Sequence, residues 1–478
     1  MLQSKDEPNP RQICLKLNEM TPKGGLFKGD RKNVHPESNL PWRISPEPFW
    51  LNVDQQKELE QLGQSLQKFY IAANTLYHQS AKGIQPSWIK QYLDLGKPNY
   101  ITEMGQWNRI KSQLPLVMRP DLILTENGFR LIEMDSIPGG MGFTAQISHL
   151  YSDLGYELIG GRNGLVEGFY NALATSINSQ DPTIAFVVSD ESESYRTEMQ
   201  WISDEFNQNH GKSYCIHPSD IHFDDEGLFL TDQNIEHRID AIYRFFELFD
   251  LKNIQKAELI TYFTKKNSIR LTPPPKAYLE EKLWLAFFHH PQLKSFWKKE
   301  LGRIAFEQLS TLIPKTWILD PRPIPPHASV SDLEIDNIKI NNWDQLKGLS
   351  KKNREMVIKP SGFCELAYES KGVTVGHDMS EEMWNKNLQN GLDKFKQNPY
   401  LLQVFHKAMR KTMHYYDFFE DKVKPMRGRT LIRPYFYIID GIAKLSGVQA
   451  VVCPPDKKIL HGMVDAIITP CASYPENR

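Results

Sequence analysis

A lysine at the end of one apolar strand and a glutamine in a later apolar strand form the strongest chemical signal in the sequence. Lys359 and Pro360 end the stretch EMVIKP, and Gln403 lies in the stretch YLLQVF, with a helical segment between the two. An ammonium at a strand end can contact phosphates, and a strand backbone with an amide beside it can contact an adenine edge. The arrangement predicts a nucleotide site, and a surface lysine before a loop stays open as the alternative.

Two carboxylates lie much earlier in the chain, in the stretch RPDLILTENGFRLIEMDSIPGG that Arg119 opens. Glu133 and Asp135 are two residues apart, and side chains with that spacing in a strand share one face of the sheet. Carboxylates combined with substrate phosphates are the oxygen ligands that Mg²⁺ favours. The spacing therefore predicts a magnesium site, with a solvated acidic strand end as the alternative.

Hydrophobic patterning indicates the elements that must position these residues. Asn127-Gly128 between two apolar runs predicts a hairpin, and Glu133 and Asp135 belong to its second strand. Residues 183 to 250 have the pattern of a strand, a helix and two further strands, which is typical of a small α/β domain with ligands at the carboxyl ends of its strands. Asp440-Gly441 predicts a long hairpin near the C-terminus.

The N-terminal part of the chain contains one clearly periodic segment. Apolar residues recur every three or four positions after Asp54, which predicts a helix from this N-cap to a stop at Gly83. The first 50 residues are rich in Pro, Lys, Asn and Gly and show no period. We therefore expect an irregular arm that docks on a core through Trp42, Phe49 and Trp50.

Composition excludes several classes of protein. There are 57 basic and 58 acidic residues, a net charge of −1 and a pI near 6.9, so no excess of positive charge points to nucleic acid or a membrane surface. No apolar run approaches the ~18 residues of a membrane helix, and the start, MLQSKDEPNPRQ, lacks the apolar core of a signal peptide. We expect a soluble, cytoplasmic protein with no nucleic-acid or membrane partner. Five scattered cysteines without a CxxC pair argue against a disulfide framework or a zinc site.

The motifs around Lys359 and Gln403 resemble the ATP-grasp superfamily, in which a lysine on a VxKP-like strand contacts the nucleotide phosphates and the next edge strand receives the adenine. Arg119-Pro-Asp121, followed by Glu133-Met-Asp135, looks like the metal-binding region of eukaryotic-type glutathione synthetases, which a circular permutation moves toward the N-terminus. The segments IAFVVSDE, SYRTEMQW and IDAIYRFFE are similar to the inserted substrate domain of that family. Glutathionylspermidine synthases share the permuted arrangement and are an equally good match.

This resemblance implies an α+β fold with an α/β insertion. It would be a circularly permuted ATP-grasp fold that holds the nucleotide between two α+β lobes, with a small parallel-sheet substrate domain. The implied domains are an irregular arm (1–50), a helical part with the permuted metal-binding strand (51–160), the α/β substrate domain (161–260) and the nucleotide-binding lobes (261–478). The implied function is ATP-dependent ligation of a small carboxylate to a small amine through an acylphosphate, with ATP and Mg²⁺. A homodimer stays open.

The resemblance also implies roles for individual residues. The nucleotide-binding residues would be Lys282, Lys359, Ser361, Lys371 and Gln403. The metal ligands would be Glu133, Asp135 and Glu365. The catalytic residues, which would pair with substrate carboxylates, are Arg119, Arg244 and Arg433.

Departures from the family pattern leave two other functions open. The loop after the second lysine contains only Gly362 and Gly372, whereas the family has a glycine-dense loop there, so a non-catalytic nucleotide-binding protein of the same fold is one alternative. Gly140-Met-Gly142-Phe-Thr-Ala145 fits a GxGxxA fingerprint after a strand, so an NAD-dependent oxidoreductase is the other. At the metal strand, Asp135 replaces the Asn of the family.

Overall fold

The computed structural model describes residues 9–27, 34–177, 181–325, 328–368 and 370–474. The α-helices of this part of the chain are α1 Pro10–Met20, α2 Val53–Ala81, α3 Ser87–Asp94, α4 Asn99–Met104, α5 Met141–Asp153, α6 Gly164–Thr175, α7 Arg196–Asn209, α8 Ala257–Lys266, α9 Leu283–His289, α10 Lys294–Leu312 and α11 Glu381–Asp393. None of these helices is both long enough and apolar enough to cross a membrane.

The strands belong to several separate sheets. In chain order they are β1 Phe49–Leu51, β2 Val117–Thr125, β3 Gly128–Asp135, β4 Ile184–Val188, β5 Ser213–Ile216, β6 His222–Phe223, β7 Leu228–Asp232, β8 Ile235–Arg238, β9 Ala241–Phe245, β10 Arg270–Thr272, β11 Thr316–Ile318, β12 Glu334–Ile335, β13 Ile338–Lys339, β14 Met356–Pro360, β15 Thr374–Val375, β16 Tyr400–Val404, β17 Arg410–Asp417, β18 Lys422–Ile439, β19 Ile442–Cys453 and β20 Ile467–Ser473.

The largest sheet has seven strands and combines both ends of the chain. Its order is β1-β20-β19-β18-β2-β3, and β17 pairs with β18 beside this path. The predicted C-terminal hairpin is confirmed as β18 and β19. Strand β2, although it lies in the first third of the chain, pairs with β18, so Ile432 lies opposite Leu122. Because of this pairing, any group on β2 or β3 lies beside groups from the C-terminal strands.

The predicted Asn-Gly hairpin is confirmed as β2 and β3. Thr125 and Gly128 face each other at the turn, and the register runs back to Arg119 opposite Asp135. The register shifts after Asp121, which lies opposite Glu133. A shift of this kind is a β-bulge, which increases local twist and redirects side chains. Near its end, the hairpin thus brings two carboxylates of β3 alongside Arg119 and Asp121 of β2.

A second sheet has four strands in the order β10-β9-β4-β5, and all its pairings are parallel. The predicted strand, helix, strand and strand are confirmed as β4, α7, β5 and β9. Strand β4 is buried at every position, as expected for the centre of a parallel sheet covered on both faces. The sequence did not indicate the three-stranded antiparallel sheet β6-β7-β8 that follows β5.

The third sheet, also four-stranded, has the order β11-β16-β14-β15 and is antiparallel. Lys359 near the end of β14 lies opposite Leu401, and Gln403 on β16 lies opposite Val357. Trp384 and Leu388 of α11 are buried in the same apolar cluster as Ile358 and Leu402 of this sheet. The lysine and the glutamine that the sequence singled out are thus on neighbouring, directly hydrogen-bonded strands.

Two predictions about the N-terminal part need correction. The expected irregular arm contains α1, whose N-cap Asn9 accepts a hydrogen bond from the Arg11 backbone; residues 1–8 and 28–33 lie outside the described part of the chain. Helix α2 has Asn52 as its N-cap, not Asp54, because Asn52 and Gln55 form a reciprocal capping box. The predicted docking of the arm is confirmed at Trp42, whose ring meets that of Phe143 edge-on with the two ring centroids 4.2 Å apart.

Candidate active site

A cavity of about 90 Å³ is lined by both the large sheet and the antiparallel four-stranded sheet. Its walls are mainly apolar, with Ile123 and Ile132 from the hairpin and Val357 and Val375 from the smaller sheet. The polar groups that line it include Glu133, Lys282, Lys359, Gln403, Arg429 and Lys458. An apolar slot with ammonium groups is suited to a flat base attached to an anionic chain.

Lys359 is a buried ammonium within this cavity. Its Nζ donates to the Ile132 carbonyl oxygen at 2.5 Å and to Oε1 of Gln403 at 2.8 Å. Burial lowers the pKa of Lys359 to about 7; Glu133 opposes this effect and Lys282 adds to it. The side chain is therefore held between two sheets by neutral oxygen atoms, and an incoming anion would favour its charged form.

Lys282 is the second ammonium of the cavity. It forms an ion pair with Glu133, Nζ to Oε1, at 2.9 Å and donates to the Ala367 carbonyl at 2.9 Å. Burial alone would lower the pKa of Lys282, but Glu133, with a smaller contribution from Asp135, raises it. The structure thus brings together both predicted nucleotide lysines and the predicted metal strand.

Gln403 lies beside the lysine as predicted, but both ends of its amide are engaged within the protein. Oε1 accepts from Lys359, and Nε2 donates to Thr316 Oγ1 at 2.9 Å. The side chain is 3% exposed. In this arrangement the Gln403 amide has no group left for the predicted contact with an adenine edge and instead accepts from Lys359.

A second and larger cavity, of about 580 Å³, adjoins the first and shares Glu133 and Ser370 with it. One part of its wall is aromatic, with Trp42, Tyr195 and Phe245. The other part is charged, and its Asp, Glu, Lys and Arg residues are Arg119, Asp121, Glu133, Asp135, Glu191, Glu198, Glu247, Glu365, Lys371 and Arg433. The two cavities thus have a common border at Glu133 and Ser370.

Arg119 is the centre of a buried ion network in the larger cavity. Nε donates to Asp121 Oδ1 at 2.9 Å, Nη2 to Asp135 Oδ2 at 3.1 Å and Nη1 to the Gly139 carbonyl at 2.8 Å. Arg433 pairs with the other oxygen of Asp121 at 3.1 Å. Burial would raise the pKa of Asp121, but Arg119 and Arg433 outweigh it and lower that pKa. Two of the predicted arginines, Arg119 and Arg433, therefore share the Asp121 carboxylate, for which the sequence predicted no role.

Glu133 and Asp135 both line the larger cavity, as predicted from their spacing. Among the described residues, no group of three or more His, Cys, Asp or Glu side chains has the geometry to hold a metal ion. Mg²⁺ commonly takes only one or two carboxylates and completes its shell with water and phosphate oxygens. The pair fits that mode, because each carboxylate is about one third exposed toward the cavity. Burial raises the pKa of Asp135, with Arg119 opposing it and Glu133 adding to it.

The other predicted site residues on the loop after Lys359 are divided between two places. Lys371 and Glu365 line the larger cavity and pair with each other, Nζ to Oε1, at 3.6 Å. Glu365 is 69% exposed at its side chain and is not gathered with Glu133 and Asp135. Ser361 is fully buried and outside both cavities; its hydroxyl donates to Glu281. Residue 369 lies outside the described part of this loop.

Arg244 does not have the place that the sequence predicted. Its side chain is completely buried, does not line either cavity, and donates to the carbonyl oxygens of Pro273 at 3.0 Å and Phe246 at 2.8 Å. A third contact goes to the Glu280 carboxylate. These partners occupy the guanidinium, so the structure supports a role in holding the end of β9 and does not support the predicted contact with a substrate carboxylate.

The glycine turn that suggested a dinucleotide fold has a different structure. Strand β3 pairs with β2 in an antiparallel hairpin, whereas the fingerprint needs a parallel βαβ unit. Glu198 of α7 occupies the start of α5: its carboxylate accepts from the backbone N–H groups of Gly140 at 2.8 Å and Phe143 at 3.1 Å. A pyrophosphate would need those donors. The structure therefore does not support the hypothesis of an NAD-dependent oxidoreductase.

Glu198 and Glu247 are cavity residues that the sequence did not indicate. Burial raises the pKa of Glu198 to about 7, although its backbone partners and Arg119 oppose this. Burial, with Glu280, raises the pKa of Glu247 to about 8 against the effect of Arg244. Neither residue lies in a recognisable motif, because its environment comes from segments far apart in the chain.

Comparison of the whole chain with solved structures shows what fold it has. An apo structure of a glutathione synthetase-like effector from Globodera pallida matches with a TM-score of 0.56 and 12% identity, over 97% of this chain and 98% of that one. A putative gamma-glutamylcysteine synthetase from Methylobacillus flagellatus matches with a TM-score of 0.42 and 10% identity, over 88% and 89% of the chains. No family model and no curated protein sequence matches. The chain thus shares its overall fold, a mixed α and β fold with several sheets, with this glutathione synthetase-like effector.

Proposed function

We propose that the protein is an ATP-dependent ligase that joins a carboxylate to an amine and releases ADP and phosphate. The observation that carries this proposal is the pair of adjoining cavities. The smaller one is apolar and holds the Lys282 and Lys359 ammonium groups, and the larger one is charged and big enough for a small peptide-like ligand. Glu133 lies on their common border, where a terminal phosphate would meet a second substrate.

The residues of the smaller cavity would bind ATP. Its apolar walls would hold the adenine, and Lys282 and Lys359 would hold the phosphates through charge-assisted hydrogen bonds. Glu133 and Asp135 would hold Mg²⁺, which would neutralise phosphate charge during transfer. In the free protein Glu133 and Lys282 form an ion pair, so each charge is neutralised before a ligand binds.

The larger cavity would bind the carboxylate substrate. Arg119 and Arg433 lie there within one network around Asp121, and Lys371, on the loop after Lys359, is a third cation of this cavity. The substrate carboxylate would attack the γ-phosphorus of ATP, and the bond to the bridging oxygen of ADP would break. The amine would then attack the acyl carbon of the acylphosphate, and phosphate would leave. This chemistry requires positioning and charge neutralisation more than a protein nucleophile.

The circular permutation belongs to the same proposal. The carboxylates of β3 precede the nucleotide strands β14 and β16 in the chain, and β2 and β3 nevertheless pair into the sheet of the C-terminal strands. This order supports the permuted arrangement and the division into two nucleotide-binding lobes with a parallel-sheet substrate domain.

The test uses hydroxylamine as the amine, since it traps an acylphosphate of any acid as a hydroxamate. The protein is incubated with ATP, Mg²⁺ and hydroxylamine, and single amino acids and small peptides are added in turn as carboxylates. We expect one class of carboxylate to give ADP and hydroxamate in equal amounts. If no carboxylate gives hydroxamate while ATP binds, the ligase proposal fails.

A non-catalytic nucleotide-binding protein is the second candidate, and one observation favours it. The loop after Lys359 is poor in glycine and closely packed: a side chain at Gly372 would come within 2.6 Å of the Leu366 carbonyl, and one at Gly362 within 3.0 Å of the Glu280 carbonyl. These glycines serve local packing, and the backbone N–H groups of Ala367, Tyr368, Lys371, Gly372 and Val373 already donate to carbonyl oxygens within the loop. Tight ATP binding without ADP release for any carboxylate and amine would favour this candidate.

A further inference from the structure

A buried ion pair lies directly behind the two nucleotide lysines. Lys97 and Glu281 form it, and each side chain is 1% exposed. Lys97 reaches this point from the loop between α3 and α4, where Gly96 packs so closely on the Gln397 carbonyl that a side chain there would come within 1.8 Å of the oxygen. Its ammonium also lies over the ring of Phe363 at 5.3 Å. The pair thus connects the N-terminal helical part with the loop that follows Lys359.

Glu281 reaches that loop through Ser361. One oxygen of its carboxylate accepts from Lys97, and the other accepts from the hydroxyl of Ser361. Ser361 in turn accepts from two backbone N–H groups of the other segment: its hydroxyl oxygen from Leu283 at 3.0 Å and its carbonyl oxygen from Lys282 at 3.1 Å. Three hydrogen bonds therefore join Ser361, which lies two positions after Lys359, to the segment Glu281–Leu283 that contains Lys282.

We propose that Glu281, held by Lys97, is a positioning residue that fixes the separation of the Lys282 and Lys359 ammonium groups through Ser361. This inference rests on the proposed nucleotide site and deepens it. Lys282 follows Glu281 directly, and Lys359 precedes Ser361 by two residues, so a bond between Glu281 and Ser361 sets both lysine backbones at once. Ser361 acts from behind the site and does not touch phosphate.

The physical reason for the ion pair follows from burial. A carboxylate that accepts only from a hydroxyl would be costly to bury, and Lys97 offsets its charge. Removal of one partner would leave an unpaired buried charge and destabilise the whole protein, which would hide any effect on the site. Removal of both charges together avoids that difficulty, since neutral replacements of similar size are well tolerated at such positions.

Two double variants form a matched pair for the test. Lys97→Met with Glu281→Gln removes both charges and keeps a carbonyl oxygen that can accept from Ser361. Lys97→Met with Glu281→Leu removes both charges and the acceptor. Affinity for ATP with Mg²⁺ is measured by titration calorimetry, and the melting temperature of each variant is recorded beside it. We expect the Leu double variant to bind ATP at least tenfold more weakly than the Gln double variant, at similar melting temperatures.

Equal ATP affinities of the two double variants would overturn the inference. If the Leu double variant does not fold, Ser361→Ala is the second test: a tenfold loss of ATP affinity supports the positioning role, and unchanged affinity overturns it. A loss in Ser361→Ala without any loss in the folded Leu double variant would mean that Ser361 contacts phosphate directly, which also overturns it. If the unaltered protein binds no ATP, the proposed function itself fails, and the inference falls with it.

Discussion

Lys359 combines a buried ammonium with neutral partners, and this combination makes a prediction about protons. Because its pKa in the free protein is about 7, the group is mostly neutral at pH 8. Bound phosphates favour the charged form and raise the pKa. We therefore expect the protein to take up about one proton for each ATP that binds at pH 8. Titration calorimetry in two buffers with different ionisation enthalpies measures this uptake.

The control for this prediction is Lys359→Met, which keeps the apolar stem and removes the titrating group. This variant should bind ATP more weakly and show no buffer-dependent heat at pH 8. A wild-type binding enthalpy that is the same in both buffers would contradict the assignment of Lys359 to the phosphates. Lys282 does not complicate the measurement, because its pKa is raised and it stays charged at this pH.

The two carboxylates of β3 should differ in importance, although their spacing makes them look equivalent. Glu133 pairs with Lys282 and lines both cavities, whereas Asp135 shares Arg119 with Asp121. Glu133→Gln should therefore raise the Mg²⁺ concentration for half-maximal activity by at least roughly tenfold, and Asp135→Asn should raise it less. Glu126→Gln, at the exposed turn of the same hairpin, is the matched control. Equal, small effects of Glu133→Gln and Asp135→Asn would favour the alternative, in which both carboxylates belong to a solvated strand end and bind no metal.

At the scale of elements, local signals were predictable and directions of side chains were not. The Asn-Gly hairpin and the parallel strands follow from turn residues and apolar runs within a few positions of each other. Arg244 was misassigned because β9 fixes only that its side chain alternates with Tyr243 and Phe245. The partners that occupy its guanidinium, Pro273 and Glu280, come from later segments, and only tertiary structure brings them together.

Helix α5 shows the same limitation and leads to a prediction about stability. Two of the N–H groups at its start, those of Gly140 and Phe143, donate to Glu198, which α7 supplies. Burial raises the pKa of Glu198 in the folded protein to about 7, above its unfolded value. Between about pH 4.5 and 7 Glu198 is therefore protonated more in the folded state than in the unfolded state, and its contribution to stability falls as the pH rises.

We expect Glu198 to contribute on the order of 3 kcal/mol of this loss between pH 5 and pH 8, so the stability of Glu198→Gln should fall by that much less than the stability of the wild type over this range. Urea unfolding of both proteins at the two pH values measures the difference between their free energies of unfolding. Asp204→Asn, on the exposed face of the same helix, should behave like the wild type. Parallel pH dependence of wild type and Glu198→Gln would show that Glu198 has an ordinary pKa.

At the scale of the whole molecule, the candidate site is assembled from segments that are far apart in the sequence. The smaller cavity takes walls from β2 and β3 in the first third of the chain, from Lys282, from β14 and β16, and from residues beyond β19. The sequence motifs identified Lys359 and the β3 carboxylates. They could not identify Asp121, Glu198 or the pair Lys97 and Glu281, whose importance comes from the neighbours that folding gives them.

This assembly predicts that a nucleotide will stabilise the fold as a whole. ATP would contact the large sheet and the antiparallel sheet at once, so it should bind only when both have their folded arrangement. At a concentration one hundred times its Kd, a ligand of the folded state adds about 2.7 kcal/mol. In a chain of this length that corresponds to a rise in Tm of a few degrees. Thermal unfolding with ATP and Mg²⁺ should show the rise, and Lys359→Met should lose most of it.

NAD is the matched ligand for this experiment, because it carries the same adenosine and a pyrophosphate. It should give no comparable rise in Tm, since the N–H groups at the start of α5 are already bonded to Glu198 and β3 belongs to an antiparallel hairpin. A larger stabilisation by NAD than by ATP would reverse the assignment and make the glycine turn the nucleotide site. The comparison of the two Tm shifts thus decides whether a nucleotide binds between the large sheet and the antiparallel sheet or at the glycine turn before α5.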